Sequence, residues 1–254
     1  MTARRRSTPR VSRQQRPPAV RNLLLASLPK ADRDRIVPTL DIVPLKLREF
    51  LHQPADRIDY VYFPCGGFCS VVAVLEDGSM VEVATIGREG VVGVTAVLDG
   101  PPIASAAMVQ GASEKCYRMA ASAFRREMDR RGAFYVVLTR YSHALVGFVM
   151  QSAACNAAHT VEQRLARWLL MAHDRMAADE FPLTQEFAAM MLGATRPTVS
   201  IVAATLQRAG LITYRRGRVR VLDRRKLEAA SCECYRVATN LFQRLPSPRS
   251  FSGS

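Results

Sequence analysis

Between Glu89 and Glu114 the chain has no lysine or arginine, and its first 21 residues have no acid. It also lacks every arrangement that would mark an enzyme: no Gly-x-Ser-x-Gly elbow, no phosphate-cradling Gly-rich loop and no paired carboxylates occur, so no catalytic residue is assigned. Only four histidines are present, His52, His143, His159 and His173. All four are expected outside the β-rich segments, which excludes the clustered histidine ligands of a cupin metalloenzyme. The six cysteines are Cys65, Cys69, Cys116, Cys155, Cys232 and Cys234. Neither Cys65-x₃-Cys69 nor Cys232-x-Cys234 has the two-residue spacing usual for structural zinc, and the N-terminal segment lacks the closely spaced thiolates of an iron–sulfur cluster. No metal and no cofactor is therefore expected, and the cysteines read as reduced, mostly buried thiols. A redox role for Cys65 and Cys69, which flank Gly66-Gly67, is the residual alternative. No run of about 18 apolar residues is present, so no membrane span is expected. The apolar patch Leu23 to Leu28 is broken at once by Pro29, Lys30 and Asp32, which argues against a signal peptide and for a cytoplasmic protein.

Charge is concentrated where these absences end. Residues 1–21 hold seven Arg, and residues 22–180 balance 17 basic against 18 acidic side chains. From Phe181 to Lys226 there are nine Lys or Arg against two acids, a net of +7. Two basic regions thus flank a nearly neutral body, and phosphate neutralisation is the direct use of such a surface.

The second basic region has internal order. QEFAAMMLGATRPTVSIVAA, residues 185–204, places Ala189 where a following helix must approach and Gly193 where a tight inter-helix turn needs positive φ. Val199 and Val202 give the second helix a buried face. Thr184 is placed to cap the first helix, and Thr195 or Arg196 the second, with Pro197 in the first turn where a missing N–H is harmless. The second helix runs through Leu206 and stops at Gly210. An ordinary αα-hairpin fits these residues as well. LITYRRGRVRVLD, residues 211–223, then alternates apolar and basic side chains around Gly217, which predicts a two-stranded basic wing.

Upstream, DYVYFP, FCSVVAVLE, MVEVATIG, VVGVTAVLD, AAMVQG and EKCYRM predict an antiparallel β-structure over residues 59–119. A short helical region is expected at Pro29–Thr39 and another from Ala121 to Met128. A long helix follows over 133–157. Phe134, Tyr141, Phe148 and Cys155 repeat every seven residues along it, as do Leu138, Leu145, Ser152 and His159. The pattern predicts either a coiled-coil dimer seam or a helix packed on its own β-domain.

This order resembles the Crp/Fnr family of bacterial transcription regulators. The resemblance covers residues 22–230 and is carried by VEQRLARWLLMAHDR, by LTQEFAAMMLGATRPTVSIVAATLQRAGLITYRRGRVRVLDRRKLE and by IGREGVVG. It implies an α+β fold: a basic disordered tail (1–21), an N-terminal antiparallel β-roll of jelly-roll or cupin-like form (22–132), a dimerisation helix (133–157), a C-terminal winged helix-turn-helix (158–230) and a C-terminal tail (231–254). The partners it implies are double-stranded DNA, a second copy of the chain, RNA polymerase and a small-molecule effector. Arg196 stands where the family places an Arg able to fork onto guanine O6 and N7. Thr195 and Thr198 are expected on phosphates, Ser200 on a base edge or backbone, and Arg215, Arg216 and Arg218 on flanking phosphates. Pro197 and Ile201 replace polar base readers. Cyclic-nucleotide binders of the family carry a Gly-Glu-Leu turn and an Arg-Ser/Thr-Ala segment, whereas this chain reads Gly93-Val94-Thr95 and Ala104-Ser105-Ala106-Ala107. A cyclic phosphate would have no cationic partner there, so the usual mode of nucleotide binding is not expected. Other readings of the chain are a non-specific nucleic-acid-binding protein and a β-domain enzyme with a DNA-binding module.

Overall fold

The structure, a computed structural model, describes residues 20–97, 103–176, 178–243 and 245. Most of the basic N-terminal stretch and the Asp99-Gly100-Pro101 turn lie outside them. Helices α1 (Leu23–Ser27) and α2 (Lys30–Ile36), the latter continued by a 3-10 turn through Thr39, open the described chain. Buried Asn22 caps α1 by accepting from the Leu25 N–H, and its amide donates to the Pro64 and Gly90 carbonyls.

The strands β1 (Asp41–Leu45), β2 (Phe50–His52), β3 (Tyr60–Pro64), β4 (Phe68–Val74), β5 (Met80–Ile86), β6 (Ser105–Gly111) and β7 (Ser113–Ala120) form two antiparallel sheets, ordered β1-β7-β3 and β2-β6-β4-β5. Two expectations are corrected here. His52 lies on a strand, because β1 and β2 precede the predicted start of the β-region; both are short and interrupted by polar residues and Pro44, which hides their periodicity. The described part of VVGVTAVLD, residues 91–97, contains no strand: Val92 makes an isolated bridge to Tyr62, and Val94–Val97 form a 3-10 turn after Gly93, whose φ is +85°.

Strand β4 is apolar except for Ser70 because both of its faces are packed. Cys69 and Val71 join Leu45, Ile86, Val92, Ala107, Val109 and Cys116 inside the roll. Phe68 and Val72 face the opposite way, with Ala106 and Met108 of β6 beside them. This two-faced burial produces the near-continuous hydrophobic run that a half-exposed strand would not show.

Helices α3 (Ala121–Asp129) and α4 (Ala133–Ala158) follow. Phe134, Leu138, Tyr141, Phe148, Ser152 and Cys155 of α4 are all buried within the chain's own body, and Leu145 is half-buried. The seven-residue repeat therefore marks the face packed on the chain itself, and the expected dimer seam along these residues is corrected. The physical reason is that α4 is apolar on both sides. A second column, Thr139, His143, Val146, Met150, Ala153 and Ala157, keeps the same alternating four-three spacing and is exposed, Val146 at 54% and Met150 at 67%. Sequence periodicity alone gives no basis for choosing between the two columns. With a mean hydropathy of 1.3 over 18 residues, α4 also meets the length and composition of a membrane-crossing helix, which the expectation of no apolar run missed. Its inner face has a protein partner instead.

The remaining elements are α5 (Val161–Met176), β8 (Glu180–Pro182), α6 (Gln185–Leu192), α7 (Arg196–Arg208), β9 (Ile212–Arg215), β10 (Arg218–Val221), α8 (Arg224–Ala230) and α9 (Cys234–Gln243). Residues 234–243 are not a tail. Phe242 of α9 stacks against Tyr141 and Phe148 of α4 at ring-centroid distances of 6.2 and 5.6 Å, closing the groove beside the long helix.

Candidate nucleic-acid interface

Helices α6 and α7 start and stop where their side chains allow. Thr184 Oγ1 accepts from the Phe187 N–H at 3.2 Å, and Thr195 Oγ1 accepts from the Thr198 N–H at 3.3 Å, so each helix has an N-terminal donor satisfied by its cap. Between them Gly193 adopts φ +55°, the left-handed conformation that turns the chain, and a Cβ there would stand 3.3 Å from Val81 of β5. The inner faces of both helices, Ala188, Ala189, Met191, Leu192, Val199, Ala203 and Leu206, are buried. The 106° bend between the two axes leaves the leading end of α7 outward.

Of the expected site residues, Thr195, Arg196 and Pro197 are exposed at that leading end, and Thr198 is half-buried beside them. The Arg196 side chain is 64% exposed and its Nε lies 2.9 Å from Glu186 Oε1, an ion pair on the surface that a stronger anion can displace. Ile201, one turn on, is 68% exposed. Ser200 points elsewhere: its hydroxyl lies 2.5 Å from Gln185 Oε1 and 3.0 Å from the Arg196 carbonyl oxygen, so it ties α7 to α6.

The wing is a three-stranded sheet, β8-β10-β9, one strand more than the sequence pattern indicated. Buried Val219 and Val221 pack against the helices while Arg215 and Arg216 are exposed at the turn, Arg216 with φ +50°. Arg218 is less free than expected. Its Nε meets Glu180 Oε1 at 2.5 Å, and Arg220 meets Glu180 Oε2 at 2.8 Å. These two guanidiniums hold the Glu180 carboxyl below its ordinary range. Glu180 stands one residue before the basic region Phe181–Lys226 and 38 residues from Arg218, so nothing local in the sequence pairs it with the wing.

The reading module shares its core with the β-roll. Trp168 of α5 packs edge-on against Phe68 at 6.0 Å, and Phe68, Val72, Ala106 and Met108 join one hydrophobic cluster with Leu169, Met191, Val199 and Val219. At the same joint, Arg175 at the end of α5 forms a largely buried pair with Glu89, Nε to Oε1 at 2.9 Å, and Glu89 also accepts from the Gly87 N–H. Gln110 Nε2 approaches Met191 Sδ at 3.6 Å. None of these contacts was legible in the sequence.

Inside the roll, no cation appears among the described residues that close on one another. Burial pushes the Cys69 thiol up to about 12 and raises Cys65 as well, so neither is an activated thiol, and no bond between them is present.

Residues 42–131 match the family model described as a cyclic nucleotide-binding domain, and residues 163–230 match that of a Crp-like helix-turn-helix domain. FixK2 from Bradyrhizobium japonicum has a similar structure at 18% identity, covering 76% of this chain and 98% of that one with a TM-score of 0.63. TTHB099 from Thermus thermophilus, a transcriptional regulator of the CRP family, is 23% identical, covers 74% of this chain and 95% of its own, and has a TM-score of 0.61. CLP from Xanthomonas campestris, a c-di-GMP responsive global regulator, is 15% identical over 75% of this chain and 97% of its own, with a TM-score of 0.58. No curated protein sequence matches.

Proposed function

Because this chain carries both domains of the Crp/Fnr family of transcription regulators and belongs to that family, we propose that it acts as a homodimer that reads a palindromic DNA operator. The observation that carries this reading is the capped, outward leading end of α7, with Arg196 exposed beside Thr195 and Pro197. Arg196 exchanges Glu186 for guanine O6 and N7, Thr195 and Thr198 bond phosphate oxygens, Ile201 meets a thymine methyl, and Arg215 and Arg216 hold the flanking backbone. Arg218 contributes to the extent that phosphate competes with Glu180. Ser200 serves the fold, not the DNA.

The dimer forms along Thr139, His143, Val146, Met150, Ala153 and Ala157 of α4, an exposed column with coiled-coil spacing. A two-fold axis along that helix sets the two α7 helices on half-sites one turn of DNA apart, roughly 34–36 Å. The β-roll biases this arrangement through the Glu89–Arg175 pair and the packing of α6 on β5. Its interior, free of cations among the described residues, favours an effector less charged than a cyclic phosphate.

Selection of bound sites from a random duplex pool tests the proposal. The expected product is a two-fold symmetric consensus bound by a dimer, and Met150→Glu is expected to yield a folded monomer that no longer retains it. Recovery of no sequence above the starting pool, or of a single half-site bound by a monomer, would overturn it.

A further inference from the structure

The fold gathers four side chains that the sequence keeps far apart. Cys155 and His159 lie at the C-terminal end of α4, and Cys232 and Cys234 lie at the start of α9, 77 residues later for the Cys155–Cys232 pair. The three Sγ atoms and one histidine nitrogen all fall within 4.8 Å of one another. Cys155 Sγ and Cys232 Sγ are 3.5 Å apart, and Cys234 Sγ is 3.5 Å from His159 Nδ1. We propose that Cys155, His159, Cys232 and Cys234 form a mononuclear zinc site that fastens the C-terminal helix to the joint between α4 and α5.

Geometry separates this reading from its competitors. Tetrahedral zinc with bonds of about 2.3 Å to sulfur and 2.0–2.1 Å to nitrogen holds its ligand atoms roughly 3.6–3.8 Å apart, against 3.5 Å for two of the pairs here and at most 4.8 Å for any. A four-iron cluster interposes its own cube of iron and sulfide and spreads its thiolates further than this set allows. A Cys155–Cys232 disulfide would leave Cys234 and His159 without a role. The three cysteines are buried in a cluster of their own, whereas most structural thiols are scattered among aliphatic side chains.

The surroundings also fit a metal. His159 turns Nδ1 toward the sulfurs, and its Nε2 lies 3.3 Å from Glu233 Oε2, the carboxylate partner that orients a metal-bound imidazole. Gln151 Nε2 donates to Cys234 Sγ at 3.0 Å. Arg164 and Arg167 are buried nearby and their Nε atoms have no hydrogen-bond partner; among the described residues neither forms an ion pair within 4.0 Å, and Arg167 feels the buried Glu82 carboxyl only at longer range. Three thiolates, one neutral imidazole and one zinc ion carry a net charge of −1, which supplies a counter-charge for these guanidiniums. A surface cleft lined by Ser231, Cys232, Glu233 and Tyr235 borders the site at Cys232.

Pairwise cysteine spacing does not show this set, because its ligands come from two separate elements. Cys155 and His159 stand one helical turn apart and supply two ligands from one face, and Cys232-x-Cys234 supplies two from an extended turn.

The test uses the full chain and the metals themselves. Metal analysis after purification with zinc is expected to find one zinc per chain, and cobalt(II) replacement is expected to give the intense visible bands and thiolate charge-transfer of a tetrahedral three-sulfur site. His159→Cys is expected to keep the zinc and to shift the cobalt spectrum toward four thiolates, a gain that does not depend on a ligand-deleted variant folding. Cys234→Ser is expected to lose stoichiometric binding, while Cys65→Ser keeps it. Failure to take up either metal at micromolar concentration, a pale octahedral cobalt spectrum, iron with acid-labile sulfide, or a native Cys155–Cys232 disulfide without metal would each overturn the site.

Discussion

On the outer side of α7 and its wing, threonine hydroxyls and guanidiniums stand in solvent with weak or displaceable partners; inside the β-roll, Leu45, Cys69, Ile86, Val92, Ala107, Val109 and Cys116 close on one another. Both regions are held by the same kind of buried apolar framework. The difference lies in what each can neutralise. A polyanion finds counter-charge at the wing, where phosphates release condensed ions. A phosphate finds none among the described residues of the roll interior, where an unpaired charge has no water to return to. Exposed basic groups in one region and none among the described residues of the other separate the two ligand chemistries.

The comparison breaks first if a charge is moved across it. Ala107→Lys, at a fully buried position inside the roll, is expected to cost several kcal/mol in urea unfolding, whereas Ile201→Lys on α7 stays within about 0.5 kcal/mol of the parent. Equal effects would mean that the roll interior is wet. Within the DNA-facing region, Arg196→Ala is expected to lose about 1–3 kcal/mol on the preferred duplex and to relax one base pair, while Arg216→Ala weakens all duplexes alike and lowers the salt slope by about one. Titrations on selected and random DNA at several salt concentrations distinguish them.

A third prediction concerns the wall between the regions. Glu82 is buried among Ser70, Thr85 and the α5 helix, and burial raises its carboxyl above the ordinary range despite the donated hydroxyls. A carboxyl raised on folding contributes stability that is complete below its unfolded value and lost as pH rises through the folded one. Urea midpoints of the parent relative to Glu82→Gln are therefore expected to fall from about pH 4.5 upward, and parallel profiles would remove Glu82 as the cause. The smallest effect belongs to Glu180→Gln. Releasing Arg218 and Arg220 is expected to strengthen binding to any duplex by about 1.5- to 5-fold, with a steeper salt dependence. Unchanged binding would show that phosphate already displaces Glu180 without cost.

Local chemistry made much of the reading module legible. Caps, turns and a tight hairpin are decided within a few residues: Thr184 and Thr195 bond donors three positions on, Gly193 takes the positive φ its place requires, and Arg216-Gly217 turns the wing. The β-roll was legible in outline only. Its first two strands are too short and too polar to show a period, and the stretch after Val91 is apolar yet forms a 3-10 turn because Gly93 redirects the chain. Ser200 and Arg218 were placed toward DNA from their positions alone, whereas Gln185 and Glu180, brought alongside by the fold, occupy them.

The caps and turn of the helix-turn-helix, the basic hairpin of the wing, the bounds of the long helix and the sign and position of charge were thus determined by the amino-acid sequence, since each depends on neighbours within about two turns or one hairpin. Which column of α4 faces the roll, how the reading module shares a core with β4 and β6, and the meeting of Cys155 and His159 with Cys232 and Cys234 were decided only by tertiary structure. Those outcomes rest on contacts between residues tens of positions apart, and a side chain carries no local mark of a partner that only the packed chain brings to it.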